Sequence, residues 1–340
     1  MKNTKPKWTY PLILWALGLG LLAAMVLSVT LGRYPISLKE LGGILLSKMV
    51  SIEPFWSKTQ ASLLLQHRLP RILLASLVGC CLSSAGAAYQ GVFQNPMAAP
   101  DILGASSGAA FGAALAILLN LGSSLIILFA FAFSLLTVIL VIFFGEHAKG
   151  TRVLGLILSG IMVSSLMSSG TSFIKLVADP TDQLPAITYW LMGSLNGSSP
   201  KDVLFALLPM ALGLIPLLLL RWRINILTLG DAEAQSMGVN ARRLRILVIL
   251  SATLVTAASV SVSGVIGWVG LVIPHLARRL VGSNYRYLMP ASMLLGALFL
   301  LLVDDVSRNL LATEIPLGIL TSLIGAPFFI CLIMKGGDKV

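Results

Sequence analysis

Residues 102–145 read "ILGASSGAAFGAALAILLNLGSSLIILFAFAFSLLTVILVIFFG", without one Asp, Glu, Lys or Arg. A helix needs roughly 20 apolar residues to cross a bilayer, and this run is long enough for two crossings. Its one polar break is "NLGSS" (Asn120–Ser124), a turn-forming composition. The run is therefore expected to form two spanning helices, 102–119 and 125–144. Strands of a membrane barrel would alternate apolar and polar residues over about ten positions, and nothing here alternates.

The same pattern extends in both directions. Runs free of acidic and basic residues cover 72–100, 153–174, 203–220, 246–277, 287–303 and 315–334. The 340-residue chain is 57% hydrophobic and 11% charged, with a mean hydropathy of +0.93. Soluble domains carry about 25% charged residues. The fold class is thus all-α, a polytopic membrane protein. Ten spans are expected: Trp8–Leu31, a second from after "QHRLPR" to Ala88, 102–119, 125–144, 153–176, 203–220, two pieces of 246–277 divided near Gly264, 287–304, and 316–334. The first has the charge order of a signal peptide, but its apolar run is too long for one; it reads as an uncleaved span. The whole of 1–340 reads as a single transmembrane domain.

The net charge of +11 does not indicate a nucleic-acid partner, because the basic residues sit in short clusters between apolar runs, which is how membrane proteins set orientation. With both termini cytoplasmic, the inner loops collect 15 of the 24 Lys and Arg residues, Arg242, Arg243, Arg278 and Arg279 among them. That bias favours this orientation. Cys80, Cys81 and Cys331 lie inside apolar runs and suit neither a metal site nor a disulfide framework. Gly104, Gly108 and Gly112 recur every four residues, a stripe that lets helix backbones approach closely in lipid.

The chemistry is sparse. No phosphate-binding Gly-x-x-x-x-Gly-Lys loop occurs, and His67, His147 and His275 are scattered. No catalytic constellation, metal site or cofactor motif emerges. The interiors of the spans lack ionisable residues, which disfavours an ion-coupled carrier. Uphill transport would draw its energy from another subunit.

Two features stand out from this background. "LGDAEAQSMGVNARRLR", Leu229–Arg245, is a polar island. Asp231–Met237 can form a short helix with acid at its N-terminus, Gly238 suits its C-terminal turn, and Ala241–Arg245 leads into the next span. Two short helices at the inner face would fit a groove on a soluble partner. At the opposite end, Arg68, Arg71 and Arg308 run against the orientation bias; they form either an electropositive rim for an acidic partner or an interfacial set whose long side chains snorkel to the headgroups. Asp304 could pair with Arg308 at i,i+4.

Taken together, several blocks resemble FecCD-type permeases, the membrane subunits of ATP-binding-cassette (ABC) importers for ferric siderophores, haem and cobalamin. They are "RLPRILLASLVGCCLSSAGAAYQGVFQNPMAAPDILGASSGA", "ITYWLMGSL", "GDAEAQSMGVNARRLR", "GWVGLVIPHLARRLVGSNYRYLMPASMLLGALFLLLVDDVSRNL" and "EIPLGILTSLIGAPFFICLIMK", in that order. The resemblance implies a type II ABC importer permease fold with ten membrane helices. It also implies two permease subunits, the same or paralogous, two ATP-binding subunits inside and a substrate-binding protein outside.

By that resemblance 229–245 is the coupling segment for the ATPase, with Gly230, Asp231, Ala234, Gly238, Val239, Arg242 and Arg243 at the matching positions. Arg68, Arg71 and Arg308 fall where the family docks its binding protein. Asn95, Met97, Lys149, Gly150 and Thr151 correspond to the inner gate, although the family often carries a small hydroxyl residue where this chain has Lys149–Gly150. The fifth span, with Ser165, Ser168, Ser169 and Thr171, and a short outer helix at 184–194 would line the pathway. Ferric siderophore is the expected cargo; haem and cobalamin permeases share these motifs. An ion-coupled carrier and a membrane scaffold remain as readings from other classes.

Overall fold

The computed structural model describes residues 9–32, 34, 36–47, 50, 53–148 and 152–336. Among them every regular element is a helix. α1 (Thr9–Thr30) is followed by the short α2 (Leu38–Leu46) and α3 (Lys58–Ser62), and a π-turn at Leu63–Arg68 joins α3 to α4 (Leu69–Val92). A 3-10 turn at Pro100–Leu103 precedes α5 (Ala105–Leu118), α6 (Ser123–His147), α7 (Arg152–Val177), α8 (Gln183–Leu191) and α9 (Pro200–Leu227). Then come α10 (Asp231–Ser236), α11 (Ala241–Ser263), α12 (Val269–Val281), α13 (Tyr285–Asn309) and α14 (Leu317–Gly336).

Seven of the described helices are long and apolar enough to cross a membrane: α1, the α3–α4 rod, α6, α7, α9, α11 and α13. α5 and α14 are shorter apolar helices, and α12 has 13 residues. Together they make the ten expected segments. Breaks fall where turn chemistry required them. Asn120 adopts φ 53° between α5 and α6, and Gly264 ends α11 at φ 67°.

The second span departs from expectation. Its helix begins at Lys58, ten residues before "RLPR", and crosses the π-turn before reaching Pro70. Proline has no N–H to give the i−4 carbonyl and its ring crowds that carbonyl. A wider turn just upstream absorbs the defect without ending the helix. The third span departs too: α5 has only 14 residues, about 21 Å at 1.5 Å per residue, so it covers part of the membrane only.

α4 is the axis of the bundle, with 83% of its apolar window buried. Packing this tight needs glycine at the crossings. A Cβ on Gly79 would overlap the carbonyl of Gly296 on α13, and one on Gly86 would overlap that of Gly270 on α12. The Gly104–Gly108–Gly112 stripe serves the same purpose: Gly108 abuts the Phe133 carbonyl and Gly112 the Phe129 carbonyl of α6. In lipid, where apolar burial gives no drive, close backbone approach is what holds helices together. α1, α7 and α9 are peripheral, with only 17%, 33% and 22% of their windows buried.

Candidate functional site

The polar island folds as a helix–turn–helix between α9 and α11. Gly230 enters it at φ 120°, a conformation open to glycine and strained for other residues. α10 follows and closes with a Schellman turn: Val239 N–H donates to Ala234 O at 2.9 Å, and Gly238 N–H to Gln235 O at 2.9 Å. Gly238 is at φ 75°, as that turn demands. Asn240 then caps α11, its side chain accepting from Arg243 N–H at 3.0 Å.

Each residue singled out from the sequence has a distinct place in this motif. Ala234 is fully buried and seats α10 on the bundle, Val239 is half-buried, and Arg243 is exposed. Asp231 pairs with Arg245 of α11, Nη2–Oδ1 2.6 Å and Nη1–Oδ2 3.2 Å. Arg242 pairs with Glu146 at the end of α6. Besides the exposed Asp231, Gly238, Arg242 and Arg243, the surface open to a partner includes residues not singled out from the sequence: Glu233, Gln235, Ser236 and the apolar Leu229 and Met237. Sequence reasoning passed over these, although two exposed apolar side chains flanking a polar helix are a docking signal. It also missed Arg245 as the strut beneath the helix.

Asn95 and Met97 lie at the same end of the bundle, just past α4. Asn95 Oδ1 accepts from Met97 N–H at 2.9 Å, and Gln94 ties the loop to α9 by donating to Leu227 O at 2.7 Å. Both Asn95 and Met97 are exposed. Lys149, Gly150 and Thr151 lie outside the described residues.

The exposed face of α7 is unusual for a spanning helix. Ser165, Ser168, Ser169 and Ser172 share it with Leu158, Ile161, Met162, Leu166 and Leu176, all exposed. At 100° per residue they fall on one side. Thr171 does not join them: it is buried on the flank, donating to Met167 O at 2.9 Å. α8 realises the short helix expected at 184–194, one residue earlier at its start and three shorter at its end. Beyond it the chain is pinned by Ser194 N–H to Ser263 O at 2.8 Å and by Leu317 N–H to Gly193 O at 2.8 Å. α8, α11 and α14 therefore meet at the turn of Gly264.

At the end opposite the polar island, Arg68, Arg71 and Arg308 do converge, but they form no free electropositive rim. Arg71 lies between Asp304 (Nη2–Oδ1 2.8 Å) and Glu314 (Nη1–Oε1 2.8 Å). Arg308 pairs with Asp305 and lies 3.6 Å from Asp304. Arg68 donates to the carbonyls of Val29, at 2.6 Å, and Tyr34. Ser28 of α1 donates to Asp305 at 2.6 Å. Three positive charges face three negative ones, and all but Glu314 are largely buried. An unpaired guanidinium would bear a large desolvation cost here, which explains why the chain supplies its own carboxylates.

A bundle of this kind, with a polar helix–turn–helix at one end and a hydroxyl-bearing face on a peripheral spanning helix, defines a multi-pass membrane protein. The comparisons make the class specific. Residues 20–335 match the FecCD transport family. The molybdate import system permease protein MolB of Haemophilus influenzae is 44% identical over 329 residues, 96% of each chain. A probable iron chelatin transport system permease protein of Helicobacter pylori is 44% identical over 273 residues, 80% of this chain and 82% of that one. A solved metal-chelate type ABC transporter in an inward-facing conformation superposes with a TM-score of 0.86 at 41% identity, covering 96% of this chain and 99% of that one. The chain belongs to the FecCD transport family, as a permease subunit of an ABC importer.

Proposed function

We propose that this chain, paired with a second permease subunit, carries a metal chelate of the ferric-siderophore class into the cytoplasm. The exposed face of α7 is the observation that carries this reading. Four serines on that face would be poorly placed against lipid. Against a second subunit, they form one wall of a path whose hydroxyls wet the cargo without holding it. The likeness to a metal-chelate transporter and to an iron chelatin permease supports the cargo class. The identity to the molybdate permease favours a second reading, an oxyanion cargo.

In this proposal the 229–245 end is cytoplasmic, consistent with its excess of Lys and Arg, and both termini lie on that side. α10 sits in a cleft of an ATP-binding subunit, presenting Leu229, Glu233, Gln235 and Met237. Asn95 and Met97, with Lys149–Thr151, close the inner gate. A substrate-binding protein docks at the Arg71 end, where Arg68, Arg71 and Arg308 stiffen the docking surface from beneath. The permease needs only two rigid-body states and no chemistry of its own.

The test is uptake of labelled ferric siderophores, haem, cobalamin and molybdate in a deletion strain with and without the gene restored. Loss of one ferric chelate, rescued by the gene, supports the proposal. Loss of molybdate uptake alone would transfer it to the second reading, and loss of none would refute both.

A further inference from the structure

The acid-free runs 72–100 and 102–145 are separated by a single residue, Asp101. From sequence it belongs to the loop between two spans. The structure places it elsewhere. The Pro100–Leu103 turn that carries it folds back into the bundle, and three neighbours measure its depth. A Cβ on Gly160 of α7 would overlap the Ile102 carbonyl, and one on Gly104 would overlap Ser164 Oγ and lie 3.2 Å from Thr137 of α6. A Cβ on Gly270 of α12 would lie 2.6 Å from Pro100 and 2.8 Å from the Leu82 carbonyl of α4. At 1.5 Å per residue, Gly160 and Ser164 lie about 12 and 18 Å from the start of α7, Thr137 about 15 Å from the end of α6, and Leu82 about 15 Å from the end of α4. The turn therefore lies within the bundle, about two helical turns inside the start of α7.

Asp101 is not sequestered there. It is exposed although the turn that carries it packs on α7 and α12, so it lies in a recess. The turn packs on the flank of α7 that adjoins Ile161 and Ser168, the edge of the hydroxyl-bearing face. Ser106 donates a hydrogen bond to Asp101 and holds the carboxylate in place. Helix N-termini favour nearby acids, but capping α5 does not require an ionisable group open to solvent at this depth. Such a group belongs in a water-filled cavity.

We infer that Asp101 is a specificity-determining residue of the translocation path: its negative charge favours cationic or donor-rich neutral metal chelates and disfavours free oxyanions. Carboxylate rings select cations in membrane pores by the same physics. The inference rests on the α7 face lining the path, and it separates the two cargo classes left open by that reading.

The experiment uses the full complex in membrane vesicles, with Cys80, Cys81 and Cys331 replaced by Ser or Ala. Ser165→Cys and Ser168→Cys are introduced singly, with Asp101 or with Asp101→Asn. Each is reacted with a cationic and an anionic methanethiosulfonate reagent of similar size. A unit charge on the order of 8 Å away in water favours the cationic reagent over the anionic one by about fivefold. The cation-to-anion rate ratio at Ser168→Cys should fall by about that factor on Asp101→Asn. Labelling at both positions with an unchanged ratio would overturn the role of Asp101 and leave the pathway intact. Absence of labelling at both positions would overturn the pathway reading, and the inference with it.

Discussion

Removing the Asp304 carboxylate should be among the most destabilising single changes in the chain. Asp304 is fully buried. It accepts from Arg71 Nε at 3.0 and 3.1 Å and from Nη2 at 2.8 Å, and it lies 3.6 Å from Arg308 Nε, which has no hydrogen-bond partner of its own. Asp304→Asn keeps the volume and leaves three guanidinium groups facing two carboxylates. Breaking a buried ion pair from one side costs about 3–5 kcal/mol, because the remaining charge is uncompensated. Glu314→Gln removes the other partner of Arg71, but the Glu314 side chain is 26% exposed. Water can replace it, and the loss should be about 1 kcal/mol or less. The assay is thermal inactivation of the detergent-solubilised protein, read as the monodisperse fraction after heating, with apparent midpoints compared at one heating rate. The Asp304→Asn midpoint should fall well below that of Glu314→Gln. A charge-free pair, Arg71→Met with Asp304→Leu, should recover most of the loss, since apolar isosteres of buried pairs are often neutral or better. Equal midpoints for the two single variants, or no recovery in the double one, would refute the buried-network argument.

Three further outcomes follow from the packing and the polar helix–turn–helix. Gly86→Ala forces α4 away from the Gly270 carbonyl and should cost about 1–3 kcal/mol. Gly18→Ala, with nothing within 4 Å, should be neutral or slightly stabilising; a reversed order of melting midpoints would show the α4–α12 crossing to be looser than described. Gly238→Ala places a side chain at φ 75°, costing about 1–2 kcal/mol locally. It should lower cargo uptake while membrane abundance, measured by immunoblot, stays level; unchanged uptake would remove the Schellman turn from the coupling role. Arg245→Met keeps the bulk under α10 but removes the ion pair with Asp231. Uptake should drop several-fold with the ATPase still co-purifying, and loss of co-purification instead would place Arg245 in assembly rather than in transmission.

Much of this architecture was legible because lipid simplifies the code. Helix count, the turn at Asn120 and the break at Gly264 follow from where charge and glycine interrupt apolar runs. The extent of α10 was legible too, since an Asp start and a Gly stop need only local geometry. What periodicity could not convey was depth. Asp101 looks like a loop residue until the Pro100–Leu103 turn is seen to fold back against Gly160 and Gly270, contacts across more than fifty residues of chain. The Arg cluster misled for a related reason. Arg68, Arg71 and Arg308 stand out locally, and Asp304 was readable beside Arg308 at i,i+4, but the pairing of Arg71 with Asp304 and Glu314 becomes visible only when α4 is brought against α13 and the segment after it. Thr171 shows the limit of composition: it is a hydroxyl residue like its neighbours, yet 240° around the helix from Ser165 at 100° per residue, and it faces the bundle.

α11 gives the two ends of the molecule a physical connection. Its first turn holds α10 through Arg245 and Asp231 and reaches α6 through Arg242 and Glu146. Its middle is packed on α4, where Thr253 and Tyr89 share a hydrogen bond at 3.0 Å. Its last residue accepts from Ser194 N–H, just past α8. A displacement of α10 thus acts directly on a buried rod whose far end bears on α8 and, through Gly193, on the start of α14. Contiguity alone does not establish coupling; the element must have two arrangements that each partner biases. The glycine at φ 67° that ends α11 is the natural hinge for such a pair of states. Gly264→Ala should then reduce uptake without loosening α10 from the bundle, measured as an unchanged exchange rate of the amide protons of residues 234–239. If those amides exchange faster in the variant, the rod and its hinge do not behave as separate bodies, and motion reaches α8 by another route.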